Sequence, residues 1–446
     1  MVLTAFALRF ALILVQQLYH FSDNTHHFLF GGETGSIARS VAEGEGFCSP
    51  FLGSTGPTAW IGPIYVYLLA AIFELFGVFT QASATVILSV NAAFSALTAP
   101  VIYMVGVRTG NKTAGVWAGW SWAILPTFMT LSTSWIWETS LSALLMTLAL
   151  LFAIELSRGG TWKKWIAFGG FWGLSGLTNP ALLTFFPISL LWISLRHRRD
   201  QRPFVKRVAV TALVFVTTMS PWLVRNRIVF GQWVFVRSNF GFEFYLDNHA
   251  VPEGQTWSVR HPSSDLVEYQ KYKSMGEIPY INFYTNQALS YVRQNPQSFV
   301  KRTGHRFVQI WTGGVFAYLS RLSAPPRDLQ MVALLSLISF FGMVLAVFRR
   351  MREWPLFAAL MLLYPLPYYV TMPSARYRHP IEPVMVMMSA YFCLEAGRIL
   401  RKSITPRVGS EKDAQFHVES ALAQVQPPLP HCTQRDDCAQ NQSLVS

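Results

Sequence analysis

Apolar runs recur along the chain at 2–19, 58–79, 84–107, 114–131, 139–156, 165–178, 181–195, 208–224, 329–348, 354–372 and 384–400. Runs near twenty residues read as membrane-crossing helices, and none shows the strict alternation of a half-buried strand. The pattern therefore predicts an all-α polytopic membrane protein. The first run carries Arg9, and no small-residue cleavage site precedes the bulky LYHFSDN, so it reads as an uncleaved anchor. Two long polar segments interrupt the rhythm. Segment 20–83 opens with a polar, Gly-rich stretch, 22–57, and contains the run 58–79. Segment 225–328 is rich in Pro, Gly and aromatic residues. Within it, Ala288, Leu289, Val292, Phe299, Val300, Phe307 and Val308 form an amphipathic pattern broken at Pro296, expected to lie on the membrane surface. No internal repeat is visible. From residue 403 the chain is polar and includes PQPPLP, which reads as a disordered tail. The expected organisation is a membrane module, 1–402, and a cytoplasmic tail, 403–446.

Composition sharpens this picture. Of 446 residues, 52% are hydrophobic and 13% charged, against about 25% charged in a typical soluble domain. That balance excludes a disordered protein and argues against a soluble enzyme. The net charge of +13 comes from 36 Lys and Arg against 23 Asp and Glu. A chain this rich in Leu, Phe and Trp is not read as a nucleic-acid binder. Half of the basic residues fall in five clusters: Arg108/Lys112, Arg158/Lys163/Lys164, residues 196–207, Arg349/Arg350/Arg352, and Arg398/Arg401/Lys402/Arg407. Cytoplasmic connections carry the excess of Lys and Arg, so all five are assigned to that side. The connections at 132–139, Asn179-Pro180 and 374–383 then face outward. Parity makes 58–79 a re-entrant or surface segment, leaving about ten crossings with both termini cytoplasmic. Cys48, Cys393, Cys432 and Cys438 form neither a disulfide framework nor a convincing zinc spacing.

Chemistry-bearing residues gather on the outer side. Glu33 lies in FGGETGSIARSV, and Glu138 lies between paired tryptophans and a crossing, in WIWETSLSALL. A carboxylate at the membrane boundary is costly to keep charged. Two together suit general-base work or cation binding; each alone also suits a helix start, where the dipole favours an acid. Arg225, Arg227, Arg237, Arg376 and Arg378 sit beside outer membrane ends, against the topological rule. Guanidinium groups pair phosphate oxygens bidentately; snorkelling to lipid headgroups is the alternative. Asn239, Tyr377 and His379 flank these arginines. His20, His26, His27 and Asp23 read as interfacial residues rather than a metal site. No Walker A loop and no Gly-rich dinucleotide motif occurs.

In its order of motifs the chain resembles the GT-C-type membrane glycosyltransferases, similar to protein O-mannosyltransferases and aminoarabinose transferases. The stretch ETGSIARSVAEGEGFCSP…GPTAWIGPIYVYLLAAIFELFG resembles the first outer loop of those families, and WIWETSLSALL resembles their later acid. PWLVRNRIVFG, RSNFGFEFYLDN and RYRHPIEP complete the likeness, which covers roughly residues 1–400. It implies outer-face juxtamembrane helices and sugar transfer from a polyprenyl-phosphate donor, with inversion. The acceptor would be a hydroxyl on a lipid, glycan or protein, outside the inner (plasma) membrane. Glu33 takes the place of the Glu in the family's Asp-Glu pair, and Glu138 that of the later acid. Gly32 stands where the Asp is expected, so the base would be Glu33 or a nearby acid such as Asp23 or Glu43. Arg225, Arg227, Arg237, Asn239, Arg376, Tyr377, Arg378 and His379 are then the expected substrate contacts. Some members use a divalent cation; Mg or Mn here would fall to Glu33 and Glu138. Competing readings are a lipid-linked-glycan transporter or flippase, a polymerase or ligase, and a non-catalytic assembly protein of the same fold.

Overall fold

The computed structural model describes residues 1–20, 30–250, 261–315 and 326–404. Among them the chain is helical, with one isolated bridge between Cys48 and Pro57 in place of any strand. Five helices are long and apolar enough to cross a membrane: Gln81–Arg108, Thr139–Ser157, Val205–Phe230, Arg327–Phe348 and Arg376–Arg401. The chain is thus a multi-pass membrane protein. The other expected crossings fall on shorter or broken helices. Val2–Val15 and Phe186–Arg199 have 14 residues, Lys112–Ile124 has 13 and Trp162–Thr178 has 17. At about 1.5 Å per residue these fall short of a hydrocarbon core of about 30 Å. Proline supplies the breaks. Pro126 turns the chain out of the Lys112–Ile124 helix, and Pro365 separates Trp354–Leu363 from Leu366–Val370. The expected ten crossings are therefore not what helix length supports.

Residues 1–394 form one compact unit and 395–446 a second, of which only the end of the last helix is described. The tail with Cys432 and Cys438, and Asp23, His26 and His27, lie outside the described residues.

Close helix contacts build the first unit. Gly169 and Gly173 let Trp162–Thr178 press on Val205–Phe230. A Cβ on Gly169 would lie 2.5 Å from the Thr211 carbonyl oxygen, and one on Gly173 would lie 2.5 Å from Thr218 Cβ. Small residues at such crossings allow the packing that drives helix association in lipid. Arg9, an oddity in the first apolar run, is fully buried. It donates to Ser95 Oγ and to the carbonyls of Ala5, Trp122, Ala123 and Phe128 at 2.8–3.3 Å. Two of these carbonyls, of Trp122 and Ala123, lie in the last turn of Lys112–Ile124, and Phe128 follows the break, so Arg9 satisfies backbone groups that the break leaves open.

The expected re-entrant segment is the helix Pro63–Phe76, of 14 residues. Its Tyr65, Val66, Leu69 and Phe73 are buried, and its Tyr65 hydroxyl donates to Asn91 Oδ1 at 3.0 Å. The amphipathic stretch forms two helices, Glu277–Gln294 and Pro296–Thr312, with Pro296 opening the second. Arg306 ties the second to the main body. It donates to the carbonyls of Asp247 and Val370 at 2.7 and 3.2 Å, and its Nε lies 3.3 Å from Asp247 Oδ2.

Candidate active site

Glu33 opens the helix Glu33–Ala42, and Glu138 caps Thr139–Ser157. Both starts favour an acid because unpaired N–H groups and the dipole lie there. The two loops touch. A Cβ on Gly31 would lie 2.3 Å from the Ile136 carbonyl oxygen, so only glycine permits this approach. Gly32 has φ +55° and ψ −119°, a backbone state that costs other residues strain. The turn into the Glu33 helix is thus built for glycine at position 32.

A third strand of chain brings the cations. Thr58–Trp60 runs beside Arg237–Asn239, where Ser238 N–H donates to the Ala59 carbonyl at 2.8 Å and Arg237 Nε to the Trp60 carbonyl at 3.1 Å. Buried Glu277 clamps the pair. It accepts from the Thr58 hydroxyl, from Ala59 N–H at 2.7 Å, from the Ser238 hydroxyl at 2.8 Å and from the Tyr272 hydroxyl at 2.9 Å. Burial nevertheless pushes its carboxyl above the ordinary value. So held, Arg237 points a guanidinium nitrogen to within 4.0 Å of Glu138 Oε1.

Glu33 Oε1 lies 3.7 Å from His261 Nε2. On the far side of the ring, Nδ1 accepts from Ser263 N–H at 3.1 Å. Nδ1 also lies 2.6 Å from the Ser263 hydroxyl, so a neutral imidazole has a polar neighbour at each nitrogen. Burial among Phe51, Trp60 and Phe242 lowers the His261 pKa and favours that neutral form. Glu243 completes the group. Asn239 Nδ2 donates to it at 3.2 Å, and its charge couples to Arg237, His261, Glu33 and Arg376. Burial pushes the Glu243 carboxyl up. Arg376 lies over the Trp137 ring at 4.1 Å and donates to the Tyr377 hydroxyl at 3.0 Å. Tyr377 in turn stacks on Tyr368, with ring centroids 4.4 Å apart. Beside the acids, Thr34 Oγ1, Trp137 Nε1 and Thr139 Oγ1 are buried and lack a hydrogen-bond partner. Buried orphan polar atoms are groups that an ordered water or a polar ligand can satisfy.

The other expected contacts lie elsewhere. Arg225 is occupied by the carbonyls of Phe47 and Thr58, at 2.8 and 2.7 Å, and by the Trp222 ring at 4.9 Å. It supports the Thr58–Trp60 strand from behind. Arg227 is exposed. Arg378 is buried on Glu382, at 3.0 Å, and on Ser336 Oγ and the Val332 carbonyl. His379 Nδ1 meets the same Glu382 at 2.7 Å. Arg378 therefore binds the Arg327–Phe348 helix to the last helix, and His379 holds Glu382 at the start of the last helix. Sequence reasoning missed Glu243 and His261. Glu243 did carry a signal, an acid between aromatics in GFEFYLD, comparable to Glu138 after the tryptophans of WIWET. His261 carried none. For a divalent cation the donors do not fit as they stand. Among the described residues no group of three His, Cys, Asp or Glu converges closely enough, and Glu33 and Glu138 face a neutral imidazole and a guanidinium.

The arrangement of these helices matches a solved membrane enzyme. The apo oligosaccharyltransferase of Archaeoglobus fulgidus superposes with a TM-score of 0.52 over 95% of this chain and 54% of that one, at 13% identity. The chain has a GT-C-type fold. It spans about half the length of that oligosaccharyltransferase. The same archaeal enzyme in complex with an inhibitory peptide and a dolichol-phosphate matches over 88% of this chain and 50% of that one, at 16% identity and a TM-score of 0.43. ArnT from Cupriavidus metallidurans bound to undecaprenyl phosphate matches over 84% and 76%, at 13% identity and a TM-score of 0.37. No protein-family model and no curated protein matches the chain.

Proposed function

We propose that the protein is a membrane glycosyltransferase that moves a sugar from a polyprenyl-phosphate donor to an acceptor hydroxyl, with inversion. One observation carries the reading. On a GT-C-type fold, Glu33, Glu138 and Glu243 gather with Arg237 and Arg376 at the head of a membrane-crossing helix. Glu33 is the base. It takes the acceptor's proton while the acceptor oxygen attacks the sugar's anomeric carbon. The bond from that carbon to the phosphate oxygen breaks, and the electron pair leaves with the lipid phosphate. Arg376 and Arg237 hold that phosphate as its charge grows. His261 flanks Glu33 at 3.7 Å, and Glu138 faces Arg237. Tyr377, Tyr368 and Asn239 offer hydroxyl and amide groups to the sugar. Arg227, exposed beyond this group, would meet lipid headgroups, and Arg225, Arg378 and His379 serve the scaffold. The positive-inside pattern supports a site facing the periplasm or exterior of an inner (plasma) membrane, with hexose, pentose and aminosugar donors all open to it.

The test is transfer or hydrolysis of a panel of radiolabelled polyprenyl-phosphate sugars by the full chain in proteoliposomes, with Glu138→Gln beside the wild type. The reading expects one sugar to be released by the wild type and at least about tenfold more slowly by the variant. It fails if no sugar on the panel is released, or if both proteins release it alike.

A further inference from the structure

The opposite end of the Thr139–Ser157 helix holds a second charged concavity, which the proposed chemistry does not use. Arg158 caps that helix, Arg108 ends Gln81–Arg108, and Arg349 caps Arg327–Phe348. With Arg352 and Glu353 these residues line a cavity of about 560 Å³. Two carboxylates answer part of the charge. Glu353, buried, lies 3.0 Å from Arg158. Glu155 lies 2.9 Å from Arg108 and 3.3 Å from Lys164. Further guanidiniums brace the rim: Arg196 donates to the Arg352 carbonyl at 2.6 Å, and Arg202 to the Arg158 carbonyl. Topology alone explains basic residues at this end. It explains neither their convergence from distant parts of the chain nor the cavity between them. Like charges gathered around one concavity repel unless an anion sits among them. Guanidinium forks match the oxygens of a phosphate, and the concavity is open enough to admit one from solvent or from the membrane surface.

We infer that this cavity binds a phosphate group, one helix length away from the acidic site. The group belongs either to an anionic phospholipid headgroup or to a soluble phosphate compound. The inference stands apart from the proposed transferase activity.

The experiment uses the full chain in nanodiscs. One arm titrates inorganic pyrophosphate into phosphatidylcholine discs by calorimetry at low salt. The other reads, by native mass spectrometry, phosphatidylglycerol retained from mixed discs. Arg349→Gln/Arg352→Gln removes two exposed cavity charges. Lys163→Gln/Lys206→Gln removes two exposed charges at the same end outside the cavity. The expected result is pyrophosphate binding (a soluble source) or phosphatidylglycerol retention (a lipid source) that falls about tenfold in the arginine variant and less than about twofold in the lysine variant, since only local charge–phosphate pairing distinguishes them. The inference is overturned if neither probe binds, or if the two variants lose binding equally.

Discussion

Glu138 and Arg158 cap the two ends of one helix, about 28 Å apart for its 19 residues, and their surroundings are built on opposite plans. At the Glu138 end, charges are enclosed and interlocked. Residues from 31–33, 136–138, 237–243, 261 and 376–377 meet there, each acid facing a specific partner. At the Arg158 end, charges stand at the rim of an open cavity and lean on helix-terminal carbonyls. The difference teaches where single charges matter. An enclosed group left without its partner is costly, whereas an exposed pair is screened and contributes little.

The largest effect is expected at a residue that resembles the site and does not belong to it. Arg378→Ala takes the guanidinium from buried Glu382, leaving it only His379, and cuts the ties to Ser336 and the Val332 carbonyl. It should cost about 3–5 kcal/mol of stability, read as loss of monodisperse protein or a steep fall in Tm. A small effect would mean that Arg378 is free to serve the site beside Arg376. Next comes Glu277→Ala, which orphans four donors and releases the strand that carries Arg237. A cost of about 3 kcal/mol is expected, with faster proteolysis of the 261–312 segment than of the membrane helices.

A third test uses pH at the enclosed end. The lowered pKa of His261 gives stability that is present above its ordinary value, about 6.5, and lost as pH falls through the lowered one. The raised pKa of Glu243 gives stability that is present below the ordinary carboxylate value and lost as pH rises through the raised one. Between about pH 4.5 and 6.5 the two slopes oppose each other, so wild-type Tm should vary little. Glu243→Gln should unmask a fall on acidification, and His261→Gln a fall on alkalinisation, each about 1 kcal/mol or less. The smallest effect belongs to the open end. Arg108→Gln removes a guanidinium that is 46% exposed, and its partner Glu155 keeps Lys164 at 3.3 Å, so it should cost about 1 kcal/mol at most in thermal unfolding.

The sequence exposed the long elements and hid the assembled ones, for physical reasons. The run 139–156 became Thr139–Ser157, and 208–224 became Val205–Phe230, because continuous apolar composition declares a long helix directly. Runs containing Pro126 and Pro365 broke at those prolines, whereas Pro100 and Pro221 sit inside unbroken helices, so neither hydropathy nor proline alone marks where a run ends. Glu33 and Glu138 were visible as acids at helix starts. The role of Arg225 was not, because its partners are backbone carbonyls of Phe47 and Thr58, and any residue type can supply a carbonyl. His261 was invisible for the same kind of reason: it reaches Glu33 through a fold in the chain of more than two hundred residues.

The central claim is that the enclosed end performs acid–base chemistry through Glu33. Single-turnover transfer from the donor sugar that the wild type accepts, compared with Glu33→Gln, tests it most directly, with donor binding measured separately. The account predicts donor affinity within about threefold of wild type and a transfer rate at least about a hundredfold lower, the usual scale for losing a general base. Equal transfer rates in the two proteins would contradict it.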